Sequence, residues 1–91
     1  MAIVSKEELM LFCREDDDDM GDLLVTFADA CEEHLLANGV APTAKNMSRY
    51  RLCEKNWALH HRDHPGEAIP PGLRAQINQL KLEPTAAPAK T

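Results

Sequence analysis

No stretch of this 91-residue chain is long and apolar enough to cross a bilayer. Aromatic residues are scarce: Phe12, Phe27, Tyr50 and Trp57 are all there are. A core built from this chain must therefore rely on Leu, Ile, Cys, Met and Ala, a palette that suits helices. The three cysteines, Cys13, Cys31 and Cys53, are odd in number and widely spaced, which argues against a disulfide framework and for a reducing compartment. Met1-Ala2-Ile3-Val4-Ser5-Lys6 lacks the charged-then-apolar pattern of a secretory signal, so synthesis in the cytosol is expected. No segment repeats, and none alternates with the period of two that a half-buried strand needs. The length allows one domain with one modest core.

Charge is unevenly placed. Residues 1–40 hold eleven Asp and Glu against two Lys and Arg, whereas residues 41–91 hold four against eight. The net charge of −5 is unfavourable for a nucleic-acid binder, since phosphate affinity rests on cationic surface. A chain with two oppositely charged halves can still attract copies of itself.

Helical spacing dominates the rest. Ser5-Lys6-Glu7-Glu8 is a capping-box pattern, and Leu9, Phe12 and Cys13 follow at helical steps, predicting a first helix over about 6–14. The organising stretch is Asp16–Gly39. Met20, Leu23, Leu24, Phe27, Cys31, Leu35 and Leu36 recur every three or four residues, predicting a long helix over about 19–38. The aspartates would favour its positive end, and Asn38-Gly39 can close it in a left-handed conformation. A third helix is expected over about 46–61, with Met47, Tyr50, Cys53, Trp57 and His61 on one stripe. A fourth starts at Pro70-Pro71 and buries Leu73, Ile77 and Leu80. The expectation is an all-α domain of four helices over 1–83, with a disordered tail over 84–91. Leu24, Phe27, Cys31, Tyr50, Cys53, Trp57, Leu73 and Ile77 are expected to meet in one core.

Chemistry finds little support. If Gly21 is set as the turn glycine of an EF-hand loop, Met20 and Phe27 fall where calcium needs oxygen ligands, which rules that reading out. Cys31, His34, His60 and His64 could in principle surround zinc, but no tight Cys-x-x-Cys knuckle is present and Cys31 lies on the core stripe. The cysteines occupy apolar helix positions rather than exposed turns, which disfavours a reactive thiolate. Arg49, Arg51, Lys55, Arg62, Arg74 and Lys81 suggest a helix-turn-helix reader, yet about ten residues separate the third and fourth helices, too many for that motif. No enzyme activity, metal or cofactor is expected.

Several segments carry a resemblance. They are Val4-Ser5-Lys6-Glu7-Glu8-Leu9, Phe12–Asp19, Asp22-Leu23-Leu24 leading into Phe27–Cys31, Asn56–Arg62, and Ile69–Leu80. In this order and spacing the chain resembles the small head–tail connector (adaptor) family of tailed bacteriophages and prophages over most of residues 3–82. The resemblance implies an all-helical, non-catalytic structural protein of the virion's head–tail junction, made in the host cytoplasm. It implies a homo-oligomeric ring, dodecameric when docked beneath the portal protein. Tail-side connector proteins are implied as further partners, and DNA would pass through the ring without sequence-specific binding. No membrane contact is implied. Glu15 stands where the family usually has an aliphatic residue, and 56–64 is richer in histidine than the family. A monomeric helical binding or regulatory module is the alternative, and a zinc-dependent enzyme a more distant one.

For a ring subunit, the expected contact sets Asp16, Asp17, Asp18 and Asp19 against Arg49, Arg51 and Lys55 of a neighbour, or against the portal. Met10, Leu11, Leu52 and Leu59 lie off the main stripes and are expected to add apolar contact surface.

Overall fold

Ser5 opens the first helix in the computed structural model, which describes residues 2–82. Its hydroxyl accepts from the Glu8 amide at 3.1 Å, and the Glu8 carboxylate accepts from the Ser5 amide at 3.2 Å. This closed capping box satisfies two amides that helix α1 (Lys6–Cys13) cannot satisfy itself. The helix stops at Arg14, whose φ of 54° is left-handed. There the Arg14 amide donates to the Leu11 carbonyl and the Glu15 amide to the Met10 carbonyl, the paired closing bonds of a Schellman end. Glycine is the usual residue at such a position, and arginine holds it at some steric cost.

Helix α2 (Asp18–Ala37) follows at once. Asp17, at its N-cap, makes no side-chain capping bond, so the aspartates favour this end through the helix dipole alone. The other end closes as the Asn38-Gly39 pair suggests. Gly39 has φ 80°, its amide bonds to Leu36, and the Val40 amide bonds to Leu35 at 2.9 Å. Leu35 and Val40 are both buried in one cluster, the apolar contact that accompanies this motif. In the loop that follows, Thr43 and Asn46 bond each other's amides, and helix α3 (Met47–Asp63) begins. Helix α4 (Pro71–Leu82) has proline as its first residue. The fold is all-α, four helices with no strand among the described residues, and the boundaries fall within about two residues of those expected. The expected tail at 84–91 lies outside the described residues.

α2 and α3 run antiparallel as the central pair. His34 meets Trp57 and Phe27 meets His61, so one number falls as the other rises. α1 packs on both of them, and α4 packs on α3. The single expected core is in fact two. Cys31, Leu35, Val40, Tyr50, Cys53, Leu73, Ile77 and Leu80 form one cluster under α4, with Trp57 only half-buried at its edge. Leu24 belongs to the other, with Val4, Leu9, Cys13, Ala28 and Ala58 under α1, and Phe27 is half-buried against it. The reason is length. An eight-residue α1 spans about 12 Å, against about 30 Å for the twenty residues of α2, so α1 covers one end and α4 the other.

Gly21 sits where α1 crosses α2. A Cβ there would lie 2.5 Å from Met10 Sδ and 2.8 Å from Lys6 Cε, so the bare backbone lets the helices approach.

Candidate functional site

The acidic run sits on the corner between α1 and α2, with Asp16, Asp17, Asp18 and Asp19 all exposed. Lys6 on α1 reaches across to this run, its Nζ 2.7 Å from Asp18 and 2.9 Å from Asp22. Those two carboxylates hold the Lys6 pKa above its ordinary value. The corner is thus braced from within while its outer carboxylates face solvent.

The basic residues expected to oppose it divide into two groups. Arg51 turns onto its own chain, donating to both carboxylate oxygens of Glu8 and to the Ile3 carbonyl. Lys55 Nζ lies 3.7 Å from the same Glu8 and 5.8 Å from the centre of the Phe12 ring. The Arg51 guanidinium, and next the Ser5 amide, hold the Glu8 carboxyl below the usual carboxylate range. Arg51 and Lys55 therefore tie α3 to the start of α1, an engagement within the chain that the linear pattern does not anticipate. One residue explains the difference: Glu8, a capping residue in the linear pattern, also faces α3 in the fold. Arg49 is exposed, beside a groove between α3 and α4 lined also by Leu52, Gln76, Gln79 and Leu80. Arg62 closes the far end of α1, donating to the Cys13 carbonyl at 2.7 Å and to Glu15 at 3.1 Å. An orphaned helix carbonyl is satisfied in this way.

Two glutamates that the linear pattern does not single out are buried. Glu54 on α3 is 0 % exposed and Glu32 on α2 is 8 % exposed. Neither Glu54 oxygen has a partner of good hydrogen-bond geometry among the described residues. Burial first, then the adjacent Glu32 carboxyl, pushes Glu54 from the ordinary 4.5 up to about 8, while the Ile3 and Val4 amides pull it partly back. Two buried carboxyls this close cannot both ionise cheaply, so a proton stays with the pair near neutral pH. A signal was present in the spacing. Glu54 stands four residues after Tyr50 and four before Ala58, both fully buried.

The imidazoles form a ladder rather than a metal cage. His34 lies tilted against Trp57, Trp57 tilted against His61, His61 edge-on to His60, and His60 stacks on His64, with ring centres 5.2–5.4 Å apart. Burial, then His60, lowers the His61 pKa. Cys31 is buried in the core, where the contact with Cys53 and then burial push its thiol well above the ordinary range. The four residues considered for zinc are thus not brought together. Among the described residues no group of three or more His, Cys, Asp or Glu side chains is placed to hold a metal ion. Among them, too, no helix is long and apolar enough to cross a membrane.

Two unlike surfaces remain. Residues 15–44 contain nine Asp and Glu and no Lys or Arg, and they include the acidic corner beside Leu11, which is 82 % exposed. Residues 41–53 and 68–82 contain Lys45, Arg49, Arg51, Arg74 and Lys81 and no Asp or Glu. These segments flank the groove where Leu52 is 41 % exposed. Of the other residues expected to add apolar surface, Met10 is half-buried at the Gly21 crossing and Leu59 half-buried in the α1 cluster. Comparison with protein-family models, with curated proteins and with solved structures found no match.

Proposed function

We propose that this chain is a structural subunit of a tailed-phage or prophage head–tail connector, assembling as a ring below the portal and extending the DNA channel toward the tail. The observation that carries the reading is where the resembling segments fall. Val4–Leu9 is the capped start of α1, Phe12–Asp19 the α1–α2 corner, Asn56–Arg62 the outer half of α3, and Ile69–Leu80 the lead into α4 and most of that helix. The all-helical fold is the one this resemblance implies. Subunits of a ring need two different surfaces that fit each other, and an acidic corner and a cationic groove on one small domain supply such a pair.

The test is the mass of the purified chain over a concentration series, alone and with the portal protein of the same genome, followed by electron microscopy of the particles. Closed rings with a central channel are expected. A chain that stays monomeric under both conditions would refute the proposal and leave the monomeric binding module. That second reading draws on one observation: Arg51 and Lys55 are engaged within the chain, which weakens attraction between free copies.

A further inference from the structure

We propose that Leu11 at the acidic corner of one copy seats in the α3–α4 groove of a second copy, so that these two surfaces form the subunit contact. The inference deepens the ring reading and rests on it.

Leu11 is the starting point. It belongs to a helix whose other large apolar residues, Leu9, Met10 and Phe12, are buried or half-buried, yet 82 % of it meets solvent. It shares a concave surface with Glu7, Met10, Arg14, Glu15 and Asp16, so carboxylates outnumber the cation around it. Exposing a leucine so fully forgoes its burial, and a contact with a partner recovers it.

The groove is the complement. Its lining of Arg49, Leu52, Gln76, Gln79 and Leu80 combines two leucines with amides and a guanidinium and contains no carboxylate. Lys45, exposed just before α3 and four residues before Arg49, adds positive charge on this side, whereas Arg74 and Lys81 project from the far flank of α4. Aspartates 16–19 of an incoming copy would meet cations here, whereas two acidic corners repel each other. The two surfaces are different and belong to different ends of the domain, because α1 covers one end of the core and α4 the other. A contact between them is head-to-tail and propagates, as a ring requires.

Head-to-tail contact makes a distinctive demand on mixtures. Leu11→Asp spoils one surface and Leu52→Asp the other, and both sites are solvent-exposed, so the fold should persist with unchanged circular dichroism. By sedimentation at low salt the parent should form oligomers larger than dimers, and each variant alone should be monomeric. An equal mixture should form a one-to-one heterodimer and stop there, because only one good pair of surfaces remains. A second measurement traps weak contacts. All three native cysteines are buried, so Leu11→Cys and Leu52→Cys introduce the accessible thiols. Under mild oxidation of an equal mixture by a diazene, the mixed 11–52 disulfide should clearly exceed the sum of the 11–11 and 52–52 products, which random pairing would only equal.

Several outcomes overturn the contact. They are a Leu52→Asp chain that self-associates like the parent, a mixture that stays monomeric with no excess of mixed disulfide, or a parent that is monomeric alone at low salt. In the first two cases a parent that still forms rings leaves the connector reading standing. In the third, rings formed only on the portal would do the same.

Discussion

Glu54 offers the sharpest test of the tertiary structure. The folded chain keeps this carboxyl protonated up to about pH 8, whereas the unfolded chain releases the proton near the ordinary 4.5. Between those values the folded state binds the extra proton, so stability must fall as pH rises, and the loss is complete above about pH 8. At about 1.4 kcal/mol per pH unit the full window sets an upper limit of about 4–5 kcal/mol. Relaxation around the buried group reduces this, and we expect about 2 kcal/mol. Glu54→Gln removes the titration, keeps the shape, and supplies an amide that can donate to Glu32. The assay is chemical denaturation of parent and variant at pH 5 and pH 8, followed by circular dichroism. His61, held below its ordinary 6.5 by burial, makes stability fall as pH drops below that value, so the difference between variant and parent is the quantity to compare. That difference should be near zero at pH 5 and favour the variant by about 2 kcal/mol at pH 8. A variant whose stability follows the parent at both pH values, or is lower at pH 8, would show that Glu54 is not a buried, protonated carboxyl.

Two further substitutions probe α1. Gly21→Val places a branched side chain where a Cβ lies 2.5 Å from Met10 Sδ and 2.8 Å from Lys6 Cε, so both side chains must swing aside and Lys6 is drawn off Asp18 and Asp22. The expected loss is about 1 kcal/mol, read from the denaturation midpoint. An unchanged midpoint would mean that the Met10 and Lys6 side chains do not pack on Gly21. Arg14→Gly removes the cost of a left-handed arginine, about 1–2 kcal/mol, and adds back part of it as unfolded-state entropy. A net gain of about 0.5–1 kcal/mol is expected in the same assay, and a clear loss would contradict the left-handed helix end.

Local rules act over four or five residues, and they made most of the helices legible. The capping box at Ser5 and Glu8, the glycine closure at Gly39 and the proline start of α4 depend only on near neighbours, so they can be read along the chain. The three-and-four spacing of Leu24, Cys31 and Leu35, and of Tyr50 and Cys53, likewise marked buried faces, because side-chain direction in a helix follows from its pitch. The acidic character of Asp16–Asp19 at a helix start and the exposure of Leu11 and Leu52 could be expected for the same reason.

Which charges meet is a different kind of fact. Glu8 and Arg51 are 43 residues apart, and nothing local distinguishes Arg51, which is drawn onto Glu8, from Arg49, which is exposed beside the groove. Two positions along α3 turn a side chain through about 200°, so only the placement of α1 against α3 decides which arginine faces inward. The split of the core has the same origin, since it depends on how far a short α1 can reach along α2. So does the pairing of Glu32 with Glu54, which requires α2 and α3 to lie antiparallel in one particular register. Sequence by itself determined the helices, their ends and their apolar faces, because those follow from backbone geometry and near neighbours. Tertiary packing alone decided which polar groups are buried and which stay exposed, because that depends on distances between residues far apart in the chain.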